Sequence, residues 1–95
     1  MASAEHEEHV QSVQVGNVYG LHARPAAEFV KLANTFKSEI WVSKDGLEVN
    51  GKSIMGVMML AAERGSTIEI RAKGDDAEQA VEALVQLVAV GFGEE

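Results

Sequence analysis

A histidine and an arginine stand two residues apart in the segment YGLHARPAAEF, where a helix is predicted to begin. The ring of His22 carries nitrogens that can act as nucleophiles, and Arg24 can offer two parallel N–H donors to phosphate oxygens. If the helix begins at Ala23, His22 lies over backbone amides without intrahelical partners, at the positive end of the helix dipole. These features together predict an anion site suited to a phosphoryl group.

Two neighbouring residues are predicted to fix the geometry of this site. Gly20 permits an unusual backbone turn and the close approach of a partner. Pro25 stiffens the first helical turn, where an amide has no partner to lose. The dipole also disfavours a charged imidazolium, which leaves a nitrogen of His22 available as a nucleophile. The alternative is that His22 merely starts a helix and Arg24 is a solvated charge.

Apolar patterns of period two and of about 3.6 residues predict the strands and helices that position this site. The predicted elements are a strand from His9 to near Gly16, a helix from Ala23 to about Phe36, a hairpin flanking Lys44–Gly46, a helix from Ile54 to Ala62, a strand over 66–72 and a helix ending at Gly91. This βαββαβα order favours an α+β fold, a four-stranded antiparallel sheet covered on one face by three helices.

Short local signals predict the turn and the helix ends. The Asp-Gly pair at 45–46 favours a tight hairpin turn. Ser53 is the predicted N-cap of the second helix, and Gly65 is predicted to close it. Asp75 and Glu78, three residues apart, predict a capping box for the last helix.

The composition of the 95 residues indicates one small soluble domain, over 9–95, preceded by a mobile acidic extension over 1–8. A net charge of −7 argues against a nucleic-acid partner. The apolar runs are shorter than the roughly 20 residues of a membrane span, so no membrane insertion is expected. The absence of cysteine excludes disulfides and fits a cytoplasmic location.

A second phosphate-binding pattern, GLEVNGKS over 46–53, matches the phosphate loop of nucleotide-binding proteins. Leu47, Glu48 and Val49 alternate like a strand, however, rather than forming a cradle of amides. The chain is also short for a nucleotide-binding fold. Nucleotide binding is therefore disfavoured.

The pair His6 and His9 has a spacing that could hold a metal ion loosely. A solvated acidic tail is the simpler interpretation of these two residues. We therefore predict no metal site.

The segment GLHARPAAEF resembles the phosphorylation-site signature of the HPr family, the histidine-containing phosphocarriers of the bacterial phosphotransferase system. The similarity continues through SEI, VNGKSIMGVM and GSTIEIRAKGDDAEQAVEAL. It implies an open-faced β-sandwich with the strand order one, four, two, three. It also implies a monomeric carrier that needs no cofactor and is not an enzyme by itself.

The resemblance further implies roles for individual residues. His22 would accept a phosphoryl group on Nδ1 from phosphorylated enzyme I and pass it to an enzyme IIA domain. Arg24 would assist that transfer. Ser53 would be the regulatory serine that an ATP-dependent kinase modifies in one branch of the family.

The second helix would carry the apolar surface that docks onto enzyme I and enzyme IIA. The residues implied are Ile54, Met55 and Met58, with Lys52 at the edge. By their helical spacing alone, the three apolar residues would be assigned to the core. The flexibility of methionine favours docking for Met55 and Met58.

Three features divide between branches of the family. Tyr19 stands where sugar-transport members usually carry a small polar residue, and it is closer to the nitrogen-regulatory branch. The C-terminal GFGEE also resembles that branch, whereas KSIMGVM resembles the kinase-regulated one. A regulatory phosphocarrier or binding module is therefore the alternative to a carrier for sugar uptake.

Overall fold

The structure is a computed structural model that describes residues 7–93. Its elements are β1 (Glu8–Gln14), α1 (Ala23–Ala33), β2 (Glu39–Lys44), β3 (Leu47–Asn50), α2 (Ile54–Met59), β4 (Thr67–Lys73), α3 (Ala77–Ala89) and a short 3-10 turn (Gly91–Gly93). The predicted βαββαβα order is confirmed. Residues 1–6 of the expected N-terminal extension, His6 among them, lie outside the described residues. β1 begins at Glu8, one residue before the predicted start.

The four strands form one antiparallel sheet in the order β1-β4-β2-β3. In β4, which pairs with both β1 and β2, the residues alternate between the two faces of the sheet. Ile68, Ile70 and Ala72 are buried, and the residues between them face outward. The α+β architecture and the inward face of this strand are confirmed.

The helices cover the face toward which these strand residues point. α3 packs over β1 and β4, and α1 packs against both α2 and α3. Phe29 of α1 and Leu84 of α3 are fully buried in the resulting core. Because this apolar face is buried, the position of α1 in the fold is fixed. The residue before Ala23 is therefore held at the start of a packed helix.

The opposite face of the sheet is not covered by a helix. There the guanidinium of Arg71 lies 4.0 Å from the centre of the Trp41 ring. It also donates hydrogen bonds to Glu8 and, through two nitrogens, to Glu48. The guanidinium thus covers one face of the Trp41 ring on the side of the sheet that faces away from the helices.

The hairpin between β2 and β3 turns at Asp45 and Gly46, whose φ angles are both positive (52° and 86°). This is the backbone expected for a tight Asp-Gly turn. Leu47–Asn50 pair with β2 as a strand. The strand interpretation of this segment is confirmed, and no cradle of amides forms there.

Two helices end earlier than predicted. α1 ends at Ala33, because the amides of Thr35 and Phe36 donate to carbonyls three residues back, of Leu32 and Ala33, instead of four. α2 ends at Met59, and Ala61 takes the left-handed backbone conformation with a φ of 50°. The prediction that Gly65 closes α2 was therefore wrong.

The predicted capping box of α3 was also wrong. The N-cap is Asp76, and its side chain makes no capping bond. Its carboxylate instead accepts hydrogen bonds from the amides of Lys37 and Ser38 and from the Ser38 hydroxyl. Desolvation raises the pKa of Asp76, but these hydrogen bonds outweigh it and hold the pKa below its ordinary value.

Candidate functional site

The approach to His22 is a tight turn anchored by Asn17. The amide of Gly20 donates to the Asn17 carbonyl (3.1 Å), and the Asn17 side chain donates back to the Gly20 carbonyl (2.7 Å). Only 1% of Asn17 is exposed, so both bonds are sheltered from water. The backbone entering α1 is therefore held from its inner side.

Gly20 has a φ of 66° and lies against the segment that follows α2. A Cβ atom built on Gly20 would lie 2.2 Å from the carbonyl oxygen of Ala62. The same oxygen accepts a hydrogen bond from the amide of Leu21 (2.9 Å). Only glycine fits this approach, as the sequence predicts.

His22 is the N-cap of α1, with an extended backbone. Its carbonyl accepts the first helical hydrogen bond, from the amide of Ala26 (2.9 Å). Its side chain makes no capping bond, and the first turn holds no acidic residue. Pro25 has no amide, so the amides at the start of the helix are those of Ala23 and Arg24. The dipole and these amides make the helix start favourable for an anion.

The side chains of His22 and Arg24 line one open cavity of about 640 Å³. The other residues that line it are Val18, Tyr19, Glu28, Phe92 and Gly93. The predicted pair thus lines the same cavity. A phosphoryl group in this cavity would meet one permanent positive charge and the start of α1.

Two parts of this cavity were missed at the sequence level. The rings of Tyr19 and His22 meet edge to face, with centroids 6.0 Å apart and planes at 88°. Phe92, buried in the 3-10 turn after α3, brings the C-terminal segment to the same cavity. The unusual residue type at position 19 was visible in the sequence, but its ring contact depends on the turn at Asn17.

The second predicted site, Ser53, lies at the start of α2, near the far end of α1. Ser53 is the N-cap of α2, and its hydroxyl accepts a hydrogen bond from the amide of Gly56 (3.1 Å). The predicted cap is confirmed. The preceding carbonyl, of Lys52, accepts from Asn34 at the end of α1 (3.4 Å), whereas Ala62 contacts the start of α1. Ser53 and His22 are therefore separated by the length of α1, about 16 Å.

The outward side of α2 is apolar, and its exposed residues are Ile54, Met55, Met58 and Met59, which we call the α2 surface. Met55 is 75% exposed and Met59 is 65% exposed. Val57 is the residue of α2 that is buried in the core. Assigning Ile54, Met55 and Met58 to the core would therefore be wrong. Met59 was not among the residues predicted for this surface.

Lys52, predicted to lie at the edge of the docking surface, is bonded to the segment after α1. Its ammonium donates to the carbonyl of Phe36 (2.7 Å), just after the end of α1. A cation at this end of a helix interacts favourably with the negative end of the dipole. In this structure Lys52 joins the end of α1 to the start of α2.

Residues 7–93 contain neither a cluster of metal ligands nor a membrane-spanning helix. No group of three or more potential metal ligands occurs within this part of the chain. The Nε2 atom of His9 lies 3.3 Å from a carboxylate oxygen of Glu7, the residue before β1. No helix within this range is long and apolar enough to cross a membrane.

The chain is similar to known proteins over most of its length. Residues 10–89 match the family model described as "PTS HPr component phosphorylation site". The phosphocarrier protein HPr of Neisseria meningitidis serogroup A is 50% identical over 84 residues, which cover 88% of this chain and 94% of that protein. The HPr-like protein Crh of Halalkalibacterium halodurans is 51% identical over 78 residues, covering 82% of this chain and 93% of that one.

Solved structures agree with the fold. The crystal structure of HPr-C-His from Thermoanaerobacter tengcongensis is similar with a TM-score of 0.88 and 49% identity, covering 92% of this chain and 98% of that one. An HPr dimer from the same organism is similar with a TM-score of 0.73 and 51% identity, covering 86% of this chain and 94% of that one. The family model and the relatives at about half identity each span most of the sequence. The chain therefore belongs to the HPr family, the phosphocarrier proteins of the phosphotransferase system.

Proposed function

We propose that this chain accepts a phosphoryl group on His22 from phosphorylated enzyme I and passes it to an enzyme IIA domain. The observation that carries the proposal is the placement of His22 and Arg24 in one open cavity at the start of α1. A histidine that does not cap its helix leaves the dipole and the first amides to a ligand. A phosphoryl group is an anion that these donors and the guanidinium suit.

The burial of one ring nitrogen supports Nδ1 as the nucleophile. The Nε2 atom of His22 is buried, whereas the residue as a whole is partly exposed. A donor phosphate therefore has poor access to Nε2. In the transfer, Nδ1 of the neutral ring attacks phosphorus and forms the N–P bond, while the bond from phosphorus to the donor breaks. The donor leaves with that electron pair, and the reverse exchange delivers the group to the acceptor.

Arg24 supports the transfer through its fixed positive charge. Its side chain is exposed and extends from the turn that follows His22. The guanidinium can donate to two oxygens of the phosphoryl group as negative charge develops on them. The rest of the transfer machinery would come from the partner, so the chain is a carrier rather than an enzyme by itself. It needs no cofactor or metal in this role.

The α2 surface is the proposed docking site for enzyme I and enzyme IIA. Ile54, Met55 and Met58 are exposed along a helix whose far end contacts the segment before His22. A partner seated on this surface would reach the cavity at its edge. Flexible methionine side chains suit a surface that must fit more than one partner. In this proposal the carrier acts as a cytoplasmic monomer. Lys52 lies at the edge of the α2 surface.

A second candidate function is regulatory, with Ser53 phosphorylated by a kinase and the carrier acting on regulators rather than on sugar uptake. The similarity to a solved structure described as "Crh, the Bacillus subtilis Catabolite Repression HPr" favours this candidate, since that description names a regulatory role. The partly exposed Ser53 beside the α2 surface supports it as well.

The test is incubation with enzyme I and phosphoenolpyruvate, followed by intact mass measurement before and after acid treatment. We expect one acid-labile phosphoryl group on the wild type and on His9→Ala, and none on His22→Ala. Equal labelling of His22→Ala would overturn the proposal. Rapid discharge by a sugar-specific enzyme IIA would favour transport, and discharge only by a regulatory one would favour the second candidate.

A further inference from the structure

We propose that Tyr19 is a positioning residue that orients the imidazole of His22, an inference that rests on the phosphoryl transfer proposed above. The two rings meet edge to face, at 88° with centroids 6.0 Å apart. Aromatic pairs favour this geometry over a face-to-face stack. Tyr19 and His22 also line the same cavity.

A neighbouring ring can orient the imidazole because the second torsion of a histidine side chain is broad rather than confined to three narrow wells. The side chain of His22 does not cap α1, so its orientation is set by other contacts, among them the ring of Tyr19. A neighbouring ring that contacts the imidazole keeps its Nδ1 atom pointing in one direction. Tyr19 thereby increases the fraction of molecules ready for attack.

The position of Tyr19 is set by the backbone rather than by burial. Tyr19 lies inside the turn that Asn17 and Gly20 close with two hydrogen bonds. Gly20 is in turn fixed against the carbonyl of Ala62. The tyrosine ring itself is 79% exposed. The turn therefore presents the ring to His22 without involving it in the core.

This exposure separates a positioning role from a structural one. Replacing a side chain that is mostly in water removes little packing, so the melting temperature of Tyr19→Ala is expected to change by less than about 4 °C. A change in transfer rate would then reflect the site and not the fold. Val10 provides a matched control, since it is exposed, carries no ring and lies on β1 outside the cavity.

The experiment measures single-turnover phosphorylation by phosphorylated enzyme I over a range of its concentrations. NMR relaxation of the His22 ring is recorded for the same proteins without phosphate. We expect Tyr19→Ala to lower the rate at saturating enzyme I about three- to tenfold, with little change in the half-saturating concentration. Its His22 ring should be more mobile. Tyr19→Phe and Val10→Ala should stay within about twofold of wild type in rate.

Three results would overturn the inference. One is an unchanged saturating rate and ring mobility in Tyr19→Ala. Another is a change in half-saturation alone, which would make Tyr19 a docking contact. The third is a Tyr19→Phe variant as slow as Tyr19→Ala, which would assign the effect to the hydroxyl. If wild type is not labelled on His22, the proposed function fails, and ring mobility still decides whether Tyr19 restrains the imidazole.

Discussion

His22 and Ser53 both occupy N-cap positions, but only the side chain of Ser53 caps its helix. The Ser53 hydroxyl accepts a hydrogen bond from its helix, at the amide of Gly56. His22 makes no such bond to α1. A good N-cap contributes about 1 kcal/mol of stability, so α1 forgoes a contribution that α2 uses.

The lengths and the packing of the two helices explain why this difference is tolerated. α2 has six residues, and Val57 is its buried residue. α1 has eleven residues, and Ala26, Phe29 and Val30 among others are buried. Burying a phenylalanine contributes about 1.5 to 3 kcal/mol, which exceeds the value of a cap. A well-packed helix can therefore leave its N-terminus available for a ligand, whereas a short one depends on its cap.

Replacing His22 by serine gives the largest expected effect and tests this comparison directly. Phosphoryl transfer should fall by a factor of at least about 10⁴, because the nucleophile is gone. The serine hydroxyl can cap α1, so stability should rise by up to about 1 kcal/mol. Labelling by enzyme I and urea unfolding measure the two effects.

His9→Ser is the matched control, since His9 lies on β1 and outside the cavity. It should be labelled like the wild type. An acid-labile phosphoryl group on His22→Ser would contradict the assignment of the nucleophile. A marked loss of stability in His22→Ser would contradict the claim that α1 lacks a side-chain cap.

Replacing Arg24 by alanine tests whether phosphoryl transfer depends on the charge of Arg24 as well as on the nucleophile His22. Loss of the guanidinium should slow transfer by a factor corresponding to about 1.5 to 3 kcal/mol, with little effect on partner affinity. Single-turnover rates and binding titrations with enzyme I separate these quantities. Lys31→Ala, an exposed change in the last turn of the same helix, should leave both unchanged. Equal rates for Arg24→Ala and wild type would exclude a role in transfer.

Asp76 extends the comparison to a third cap, whose carboxylate serves a neighbouring segment. Asp76→Asn should cost about 1 to 2 kcal/mol, since charged hydrogen bonds to Lys37 and Ser38 are weakened. The lowered pKa of Asp76 means that its stabilisation is present above the ordinary carboxyl pKa. It is lost as the pH falls from about 4 through the lower folded value.

Denaturation at a series of pH values checks this prediction. Between about pH 5 and pH 3 the wild type should lose more stability than Asp76→Asn. Asp75→Asn, at the exposed neighbouring position, should follow the wild type. Parallel curves for wild type and Asp76→Asn would show that the hydrogen bonds of this carboxylate add nothing to folding.

The parts of the structure that could be predicted from the sequence depend on local patterns. Ile68, Ile70 and Ala72 alternate within one strand, so their burial was predictable from period two alone. The cap at Ser53 was predictable because its partner amide is only three residues away. Local chemistry of this kind needs no knowledge of the rest of the fold.

The parts that could not be predicted depend on contacts between distant segments. Asp76 is bonded to Lys37 and Ser38, about forty residues earlier, so its neighbours in sequence suggested a different cap. α2 ends next to a left-handed Ala61, and the following carbonyl, of Ala62, accepts a hydrogen bond from the distant amide of Leu21. Phe92 reaches the His22 cavity only after α3 has crossed the sheet.

Substitutions at Ser53 give the sharpest test of the difference between the two caps, and Ser53→Asp gives the smallest expected change in stability. Ser53→Ala removes the bond to Gly56 and should cost about 1 kcal/mol, whereas Ser53→Asp keeps a cap and should fold like the wild type. If Ser53 only caps α2, enzyme I affinity should be the same for wild type and Ser53→Asp.

We predict instead that Ser53→Asp weakens binding, because its charge stands beside Ile54 and Met55 and must lose water when a partner covers the α2 surface. A phosphate, with about −1.5 to −2 charges, should act in the same direction more strongly. The His22 phosphorylation rate should fall at low enzyme I and recover at saturation, since the charge is about 16 Å from the cavity. Thr67→Asp places the same charge on the open face of the sheet and should change neither quantity. A lower rate at saturation would show that Ser53 acts on His22 itself, and an unchanged affinity would leave it a cap alone.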